Sequence, residues 1–153
     1  MRLKEMLQGI VPQKCLVRLP DGYHVVGDIA VLSLAPELDK YKIEIATAIL
    51  DQCNHIHTVL NKTSRLEGER RVARLEVLAG KGNTITTHRE FGFIYHVDVA
   101  SVFFNSRLGS ERMRVAAQVK DDEDVLVPFA GSGPFVVPLA SRGAHVVALE
   151  KNR

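Results

Sequence analysis

The chain has 153 residues, 46% of them hydrophobic and 25% charged, with a net charge of +2 and a mean hydropathy near zero. That balance excludes a disordered chain and supplies apolar material for one substantial core. No apolar stretch approaches the roughly 18 uninterrupted residues of a spanning helix, and Met1-Arg2-Leu3-Lys4-Glu5 leads into no secretory segment, so the chain reads as cytoplasmic, with no membrane partner.

In chain order, the first residues form a short helix or arm. Cys15 to Leu19 and Tyr23 to Leu34 read as strands of a hairpin joined through Pro20-Asp21-Gly22, whose proline and glycine suit a turn. Pro36 sits well at a helix start, and Ile43, Ala46, Leu50 and Cys53 recur at near-helical spacing, so Pro36 to Cys53 is expected to be an amphipathic helix with a structural role. Cys15 and Cys53 stand apart without Cys-x-x-Cys spacing, as reduced structural thiols do. His55 and His57 could turn two imidazoles to one side of a strand, but no third ligand has suitable spacing, and no metal is expected.

Four strands are then predicted, His57 to Lys62, Arg71 to Leu78, Thr84 to Glu90 and Phe93 to Val99, rich in β-branched residues and punctuated by glycines. They make an α/β sheet of mixed direction. Between Lys62 and Arg114 ten Lys or Arg face six Asp or Glu, a surplus of +4 against −2 for the remainder. Lys62, Arg65, Arg70, Arg71 and Arg74 crowd together within it. Such a density attracts phosphates, and it equally suits a solvated surface.

Ser106 to Val119 reads as a second helix, with Leu108, Val115 and Val119 on its buried side. Arg107, Glu111 and Arg114 share one stripe, with Arg112 about 140° from Arg107. Two readings stay open: an exposed Arg107 to Glu111 ion pair, or a Glu111 carboxylate beside a cofactor, able to take a proton from a substrate nitrogen.

The last thirty residues carry the strongest local pattern. Asp124 to Phe129 reads as a buried parallel strand, Phe135 to Arg142 as a helix closed by Gly143, and His145 to Leu149 as a second strand. Gly131 and Gly133 let the backbone bend and approach a ligand, the following helix offers free N–H groups, and Glu150 can accept both hydroxyl hydrogens of a ribose. The same glycines could simply make a tight strand-to-helix turn. A doubly wound sheet needs more strands than the residues after Glu150 supply, so the chain reads as a fragment.

Five motifs then occur in order: Glu67-Gly68-Glu69-Arg70-Arg71, Leu78-Ala79-Gly80, Val97-Asp98, Phe104-Asn105-Ser106-Arg107-Leu108-Gly109-Ser110-Glu111-Arg112, and Pro128-Phe129-Ala130-Gly131-Ser132-Gly133-Pro134-Phe135. Together they resemble the archaeal and eukaryotic tRNA guanine-37 N1-methyltransferases, from about Gly27 onward. The resemblance implies a mixed α/β domain over residues 1–105 with a basic RNA-facing segment, then the opening helix and βαβ unit of a Rossmann-like class I methyltransferase domain over 106–153. It implies S-adenosylmethionine as cofactor, tRNA as partner and no metal. Glu111 would be the general base and Arg112 its catalytic neighbour, both Arg112 and Arg71 holding or polarising the target guanosine. Arg107 would lie close to both cofactor and substrate. Phe129, Ala130, Gly131, Gly133 and Pro134 would face the cofactor, and Glu150 its ribose.

The chain departs from the family at Val127-Pro128, where an acidic residue and a methionine are usual, and at Asn105-Ser106, where Ser-Pro is usual. The family's Asn-Pro-Pro motif has no counterpart up to residue 153, nor does its small N-terminal domain before Gly27, so the chain alone is expected to be inactive. Two alternatives remain. The related wyosine-pathway transferase moves an aminocarboxypropyl group with the same cofactor, though it typically lacks the Arg107 to Arg112 arrangement. The other is a non-catalytic tRNA-binding module.

Overall fold

The computed structural model describes residues 3–68 and 71–152. Glu69 and Arg70, part of the first motif and of the basic cluster, lie outside the described residues. Among the described residues the architecture is α/β, built from three sheets rather than one.

Two single-turn helices, α1 (Leu3–Met6) and α2 (Gln13–Leu16), come first. The predicted strand from Cys15 is therefore a helical turn. Cys15, Leu16 and Leu19 are all buried, a one-three-four spacing that a helix satisfies and a strand does not. The hairpin instead consists of β1 (His24–Val26) and β2 (Ile29–Leu32), with Val26 opposite Ile29. Its two-residue turn is Gly27-Asp28, where Gly27 takes the positive φ of 56° that such turns favour.

A 3-10 segment, Pro36–Tyr41, leads into α3 (Lys42–Gln52). Helix α3 then returns the chain to β3 (Thr58–Lys62), which pairs parallel with β2. Strand β4 (Leu75–Gly80) adds antiparallel to β3 and completes a mixed four-stranded sheet. The buried face of α3 is Ile45, Ala46, Ala48 and Ile49, while Ile43 stands exposed. That face joins α1, α2, β2 and β3 in the main core. Each fully buried Ile or Leu there contributes about 1.5–3 kcal/mol. Lys42 ties α3 to the sheet edge through Glu76 of β4 at 2.8 Å.

Strands β5 (Ile85–Glu90) and β6 (Phe93–Asp98) form a separate antiparallel hairpin. Its inner face packs Tyr95 and Val97 with Val26, Val102 and Phe104 in a second, smaller core. A 3-10 turn, Ser106–Leu108, capped by the Asn105 side chain on the Arg107 N–H at 3.0 Å, opens α4 (Gly109–Ala116). The buried side of α4 is Gly109, Arg112 and Ala116, not the predicted Leu108, Val115 and Val119 stripe.

The chain finishes with β7 (Asp124–Pro128), α5 (Val136–Ala140) and β8 (His145–Leu149), a Rossmann-type βαβ unit with parallel strands in register from Asp124 opposite His145 to Pro128 opposite Leu149. Helix α5 has only five residues, so its dipole adds little at the loop before it. This unit is thinly packed: Leu139 is buried, whereas Leu126, Val147 and Leu149 are more than half exposed. Among the described residues no helix is long and apolar enough to cross a membrane.

Candidate cofactor and substrate cleft

A cleft of about 770 Å³ opens where the glycine loop after β7 faces the start of α4 and the segment around Arg71. Seven of the residues singled out from sequence line it: Arg71, Arg112, Phe129, Ala130, Gly131, Pro134 and Glu150. Residues as far apart in the chain as 71 and 150 thus meet at one surface.

The loop is shaped by backbone bonds. The Ala130 N–H donates to the Leu149 carbonyl at 2.9 Å, continuing the β7–β8 ladder past the end of β7, and the Gly133 N–H closes a turn onto the Ala130 carbonyl at 2.9 Å. Gly131 has a φ of 57°, and a Cβ there would meet open space. Its N–H donates to Glu150 Oε2 at 2.7 Å, while the Asn152 backbone and side-chain amides donate to Oε1 at 2.9 and 3.1 Å. These bonds, led by the Asn152 backbone N–H and then that of Gly131, hold the Glu150 carboxyl below its usual range. It is ionised at neutral pH, fixed in orientation, and keeps lone pairs on both oxygens. Such a carboxylate suits a vicinal diol, so the residues present fit a nucleoside-type cofactor.

Across the cleft Arg112 is 2% exposed. Its Nη1 donates to both Glu90 oxygens at 2.8 Å, and Nη2 donates to the Asn105 carbonyl at 2.7 Å. Its guanidinium lies 4.9 Å from the Phe104 ring centre and 5.9 Å from that of Phe135, while Nε is buried with no partner among the described residues. Glu90 also meets His88 Nε2 at 3.3 Å, and His88 Nδ1 faces the Gly27 N–H at 3.2 Å. Because that amide can only donate, Nδ1 accepts and Nε2 carries the proton directed at Glu90. The hairpin makes a second link through the Tyr95 hydroxyl, which donates to the Pro134 carbonyl of the glycine loop at 3.3 Å.

Three of the singled-out residues do not line the cleft. Gly133 sits inside the turn, its carbonyl accepting from Val137 at 3.2 Å. Glu111 is clamped by Arg114 through two bonds of 2.7 Å, so the ion pair expected with Arg107 is replaced by one within α4. The Arg114 bond lowers the Glu111 carboxyl below its ordinary range, which leaves it ionised and a weaker base. Arg107 is exposed and pairs with no described acid; with burial, its charge and that of Lys62 hold the His24 imidazole below its ordinary pKa.

Two non-glycine cleft residues, Arg71 and Phe129, have φ of 53° and 60°. Such backbone is uncommon outside glycine and concentrates at functional sites. Phe129 is also 90% exposed. Sequence reading missed Glu90, His88, Tyr95 and Asn152. A signal for two of them was present: along β5, Thr86, His88 and Glu90 alternate on the packed face while Ile85 points outward, the reverse of ordinary strand patterning. His57, weighed as a metal ligand, instead meets Asp28 at 3.1 Å, and among the described residues no three His, Cys, Asp or Glu side chains gather as a cation site.

Comparison with known proteins gives two family matches, a TYW2 N-terminal domain over residues 3–84 and a TRM5/TYW2 methyltransferase domain over residues 86–153. The tRNA (guanine(37)-N(1))-methyltransferase Trm5b of Pyrococcus abyssi is 39% identical over 93% of this chain and 43% of its own length. The tRNA(Phe) (4-demethylwyosine(37)-C(7)) aminocarboxypropyltransferase of Pyrococcus horikoshii is 38% identical over 99% of this chain and 54% of its own. Among solved structures, a complex of aTrm5 with tRNALeu superposes with a TM-score of 0.86 at 32% identity, over 98% of this chain and 45% of that one. TYW2 of P. horikoshii in complex with MeSAdo gives 0.73 at 34% identity, over 98% and 53%. The chain therefore spans about half the length, or less, of these relatives.

Proposed function

This chain belongs to the TRM5/TYW2 methyltransferase family, and from that premise we propose that it acts in methyl transfer from S-adenosylmethionine to N1 of the guanosine 3′ of a tRNA anticodon, position 37. The observation that carries the reading is the cleft itself, where the Gly131 loop and the Glu150 carboxylate face Arg71 and Arg112. Relatives that match along nearly the whole chain are tRNA-modifying enzymes by name, and solved neighbours hold tRNA or MeSAdo.

S-adenosylmethionine, when bound, supplies an electrophilic methyl group. Glu150 would accept the two ribose hydroxyls, with Phe129, Ala130, Gly131, Gly133 and Pro134 shaping the loop along the cofactor. Arg71 and Arg112 would hold the guanine, and the unpartnered Arg112 Nε–H is the kind of buried donor that a purine oxygen can satisfy. Arg107 would guard the approach at the start of α4. Glu111, one residue from Arg112, would take the N1 proton as the methyl group arrives. Its clamp to Arg114 weakens it as a base, so Arg114 must yield when the substrate enters.

On this reading residues 1–105 form the RNA-facing domain and residues 106–153 the cofactor-binding one. The β5–β6 hairpin joins them through Glu90 and Tyr95. Calorimetric titration of S-adenosylmethionine, then of tRNA, into the chain tests the proposal. Binding of both is expected, with cofactor binding lost in Glu150→Ala. Silence toward the cofactor with tRNA binding retained would favour a tRNA-binding module.

A second reading, aminocarboxypropyl transfer to a modified base at the same position, draws support from the match to the TYW2 N-terminal domain and from the 38% identical relative. The Arg107 to Arg112 motif favours methyl transfer. Product mass, measured on a polypeptide competent for turnover, separates the two.

A further inference from the structure

The basic residues between Lys62 and Arg114 divide into two groups in the structure. Arg74 meets Glu67, Arg112 meets Glu90 and Arg114 meets Glu111. Lys62, Arg65, Arg71, Lys81, Arg89 and Arg107 pair with no described acid, and of these Lys62, Arg71 and Arg107 gather around His24. Lys62 and Arg71 line a side pocket of about 240 Å³ together with His24, and Arg107 and Lys62 both act on the His24 imidazole.

No described carboxylate lines this pocket. Apart from Asn105 its remaining walls are apolar, drawn from Val26 and Val31 of the first hairpin, from Val72 and Leu75, and from Val102 and Phe103. Phe103 is 48% exposed, a large aromatic surface left in solvent. The pocket adjoins the main cleft, since Arg71, Val102, Phe103 and Asn105 line both. Cations left without acids repel one another, and a ligand that brings negative charge relieves that repulsion. An apolar wall with an aromatic face and a cationic rim, too small for a whole nucleoside cofactor and lying beside the space proposed for the target base, matches one nucleotide of a single strand.

We propose that this side pocket is the subsite for the nucleotide adjoining the target guanosine, its base resting on Phe103 and Val102 and its phosphate held by Lys62, Arg71 and His24. The inference rests on the tRNA reading above and adds a place for the flanking residue. Arg71 joins the two spaces, so one side chain would fix the spacing between the base that reacts and the phosphate beside it. Its left-handed backbone, with a φ of 53°, is the local cost of that placement.

The test uses the chain with a fluorescent single-stranded RNA of five nucleotides, guanosine at the centre, and with the same RNA made abasic at the residue next to the guanosine. Binding is followed by anisotropy from about 50 to 200 mM salt. Lys62→Met keeps the aliphatic stem and removes the charge. It is expected to weaken binding and to lower the slope of log affinity against log salt by about 0.7, the value for one phosphate on a single strand. Lys62→Arg should restore both, and Lys14→Met, on the exposed face of α2 and lining neither cavity, should change neither. Phe103→Ala should weaken the intact RNA about 5- to 150-fold, and the abasic RNA far less. An unchanged salt slope in Lys62→Met, or equal losses for intact and abasic RNA in Phe103→Ala, would overturn the subsite while leaving the tRNA reading in place. Equal loss of a phosphate-free polyanion such as polyglutamate would show a nonspecific basic surface and overturn it as well. If the wild-type chain binds cofactor but no RNA, the tRNA reading fails and the subsite fails with it.

Discussion

The sharpest consequence of the structure concerns Glu90. Its carboxylate is 9% exposed and that of its partner, the Arg112 guanidinium, 2%. Replacing Glu90 by alanine leaves a buried guanidinium with the Asn105 carbonyl at 2.7 Å and two ring faces, and no counter-charge. At an effective dielectric of about 20 the lost attraction is about 4 kcal/mol, and removal of one partner from a buried pair costs about 3–5 kcal/mol. The ring contacts offset about 1–2 kcal/mol at most. A net loss of about 1–4 kcal/mol is therefore expected, against the roughly 5–15 kcal/mol of a typical domain. Urea unfolding followed by circular dichroism reads it as a drop of about 0.5–2 M in midpoint, given a slope of about 2 kcal/mol/M. The double variant Glu90→Leu with Arg112→Met removes both charges and should fall within about 1.5 kcal/mol of wild type. A Glu90→Ala loss under about 1 kcal/mol, or losses that simply add in the double variant, would refute the claim that this pair joins hairpin to helix.

Other consequences follow from single contacts. Glu150→Ala should lower S-adenosylmethionine affinity at least tenfold in calorimetry while leaving the urea midpoint nearly unchanged, because the side chain lies at the surface and bonds the exposed loop amides of Gly131 and Asn152. Asp28 is held below its ordinary pKa chiefly by the Thr86 hydroxyl, and also by His57. A depressed carboxyl adds stability that is complete above its unfolded value, about 3.9, and fades as pH falls through the folded one. Thermal melts between pH 5 and 2.5 should thus decline less steeply in Asp28→Asn than in wild type; parallel declines would refute the assignment. Amides of β7 and β8 should exchange with solvent well before those of β2 and β3, whose side chains are nearly all buried. Uniform protection across both sheets would contradict the packing difference.

How much of this was legible in the sequence depended on whether a feature was local. The β7–α5–β8 unit could be read because two apolar runs flank glycines with positive φ, and its strand bounds differ from expectation by at most one residue. The turn of the first hairpin could not be read. Pro20-Asp21-Gly22 carries stronger turn chemistry than Gly27-Asp28, yet the latter closes the hairpin because Ile29 to Leu32 must lie beside β3. Likewise Arg71 to Leu78 reads as one strand, but Val72 makes only an isolated bridge to Glu67, and the ladder begins at Leu75, opposite Lys62, where β3 offers a partner. In the cleft, the loop, Glu150, Arg71 and Arg112 were found from motifs. Glu90 and Tyr95 were not, since their significance lies in partners 22 and 39 residues away.

Arg112 also explains why Glu111 points where it does. Successive residues on a helix diverge by about 100°, so an Arg112 drawn into the interior by Glu90 and the Asn105 carbonyl obliges Glu111 to leave the cleft wall. There Arg114, three residues on, captures it with two bonds of 2.7 Å. The rotation of α4 about its axis is thus set by a buried ion pair whose acid belongs to a different sheet. Gly109 permits that arrangement at the helix start, for a Cβ there would lie 3.0 Å from Glu90 Oε2 and 3.1 Å from the Phe91 ring. The direction of the carboxylate proposed as the base is therefore set through Arg112 by Glu90, a residue outside the cleft lining, and in a polypeptide competent for turnover loss of Glu90 should alter the pH dependence even where the fold survives.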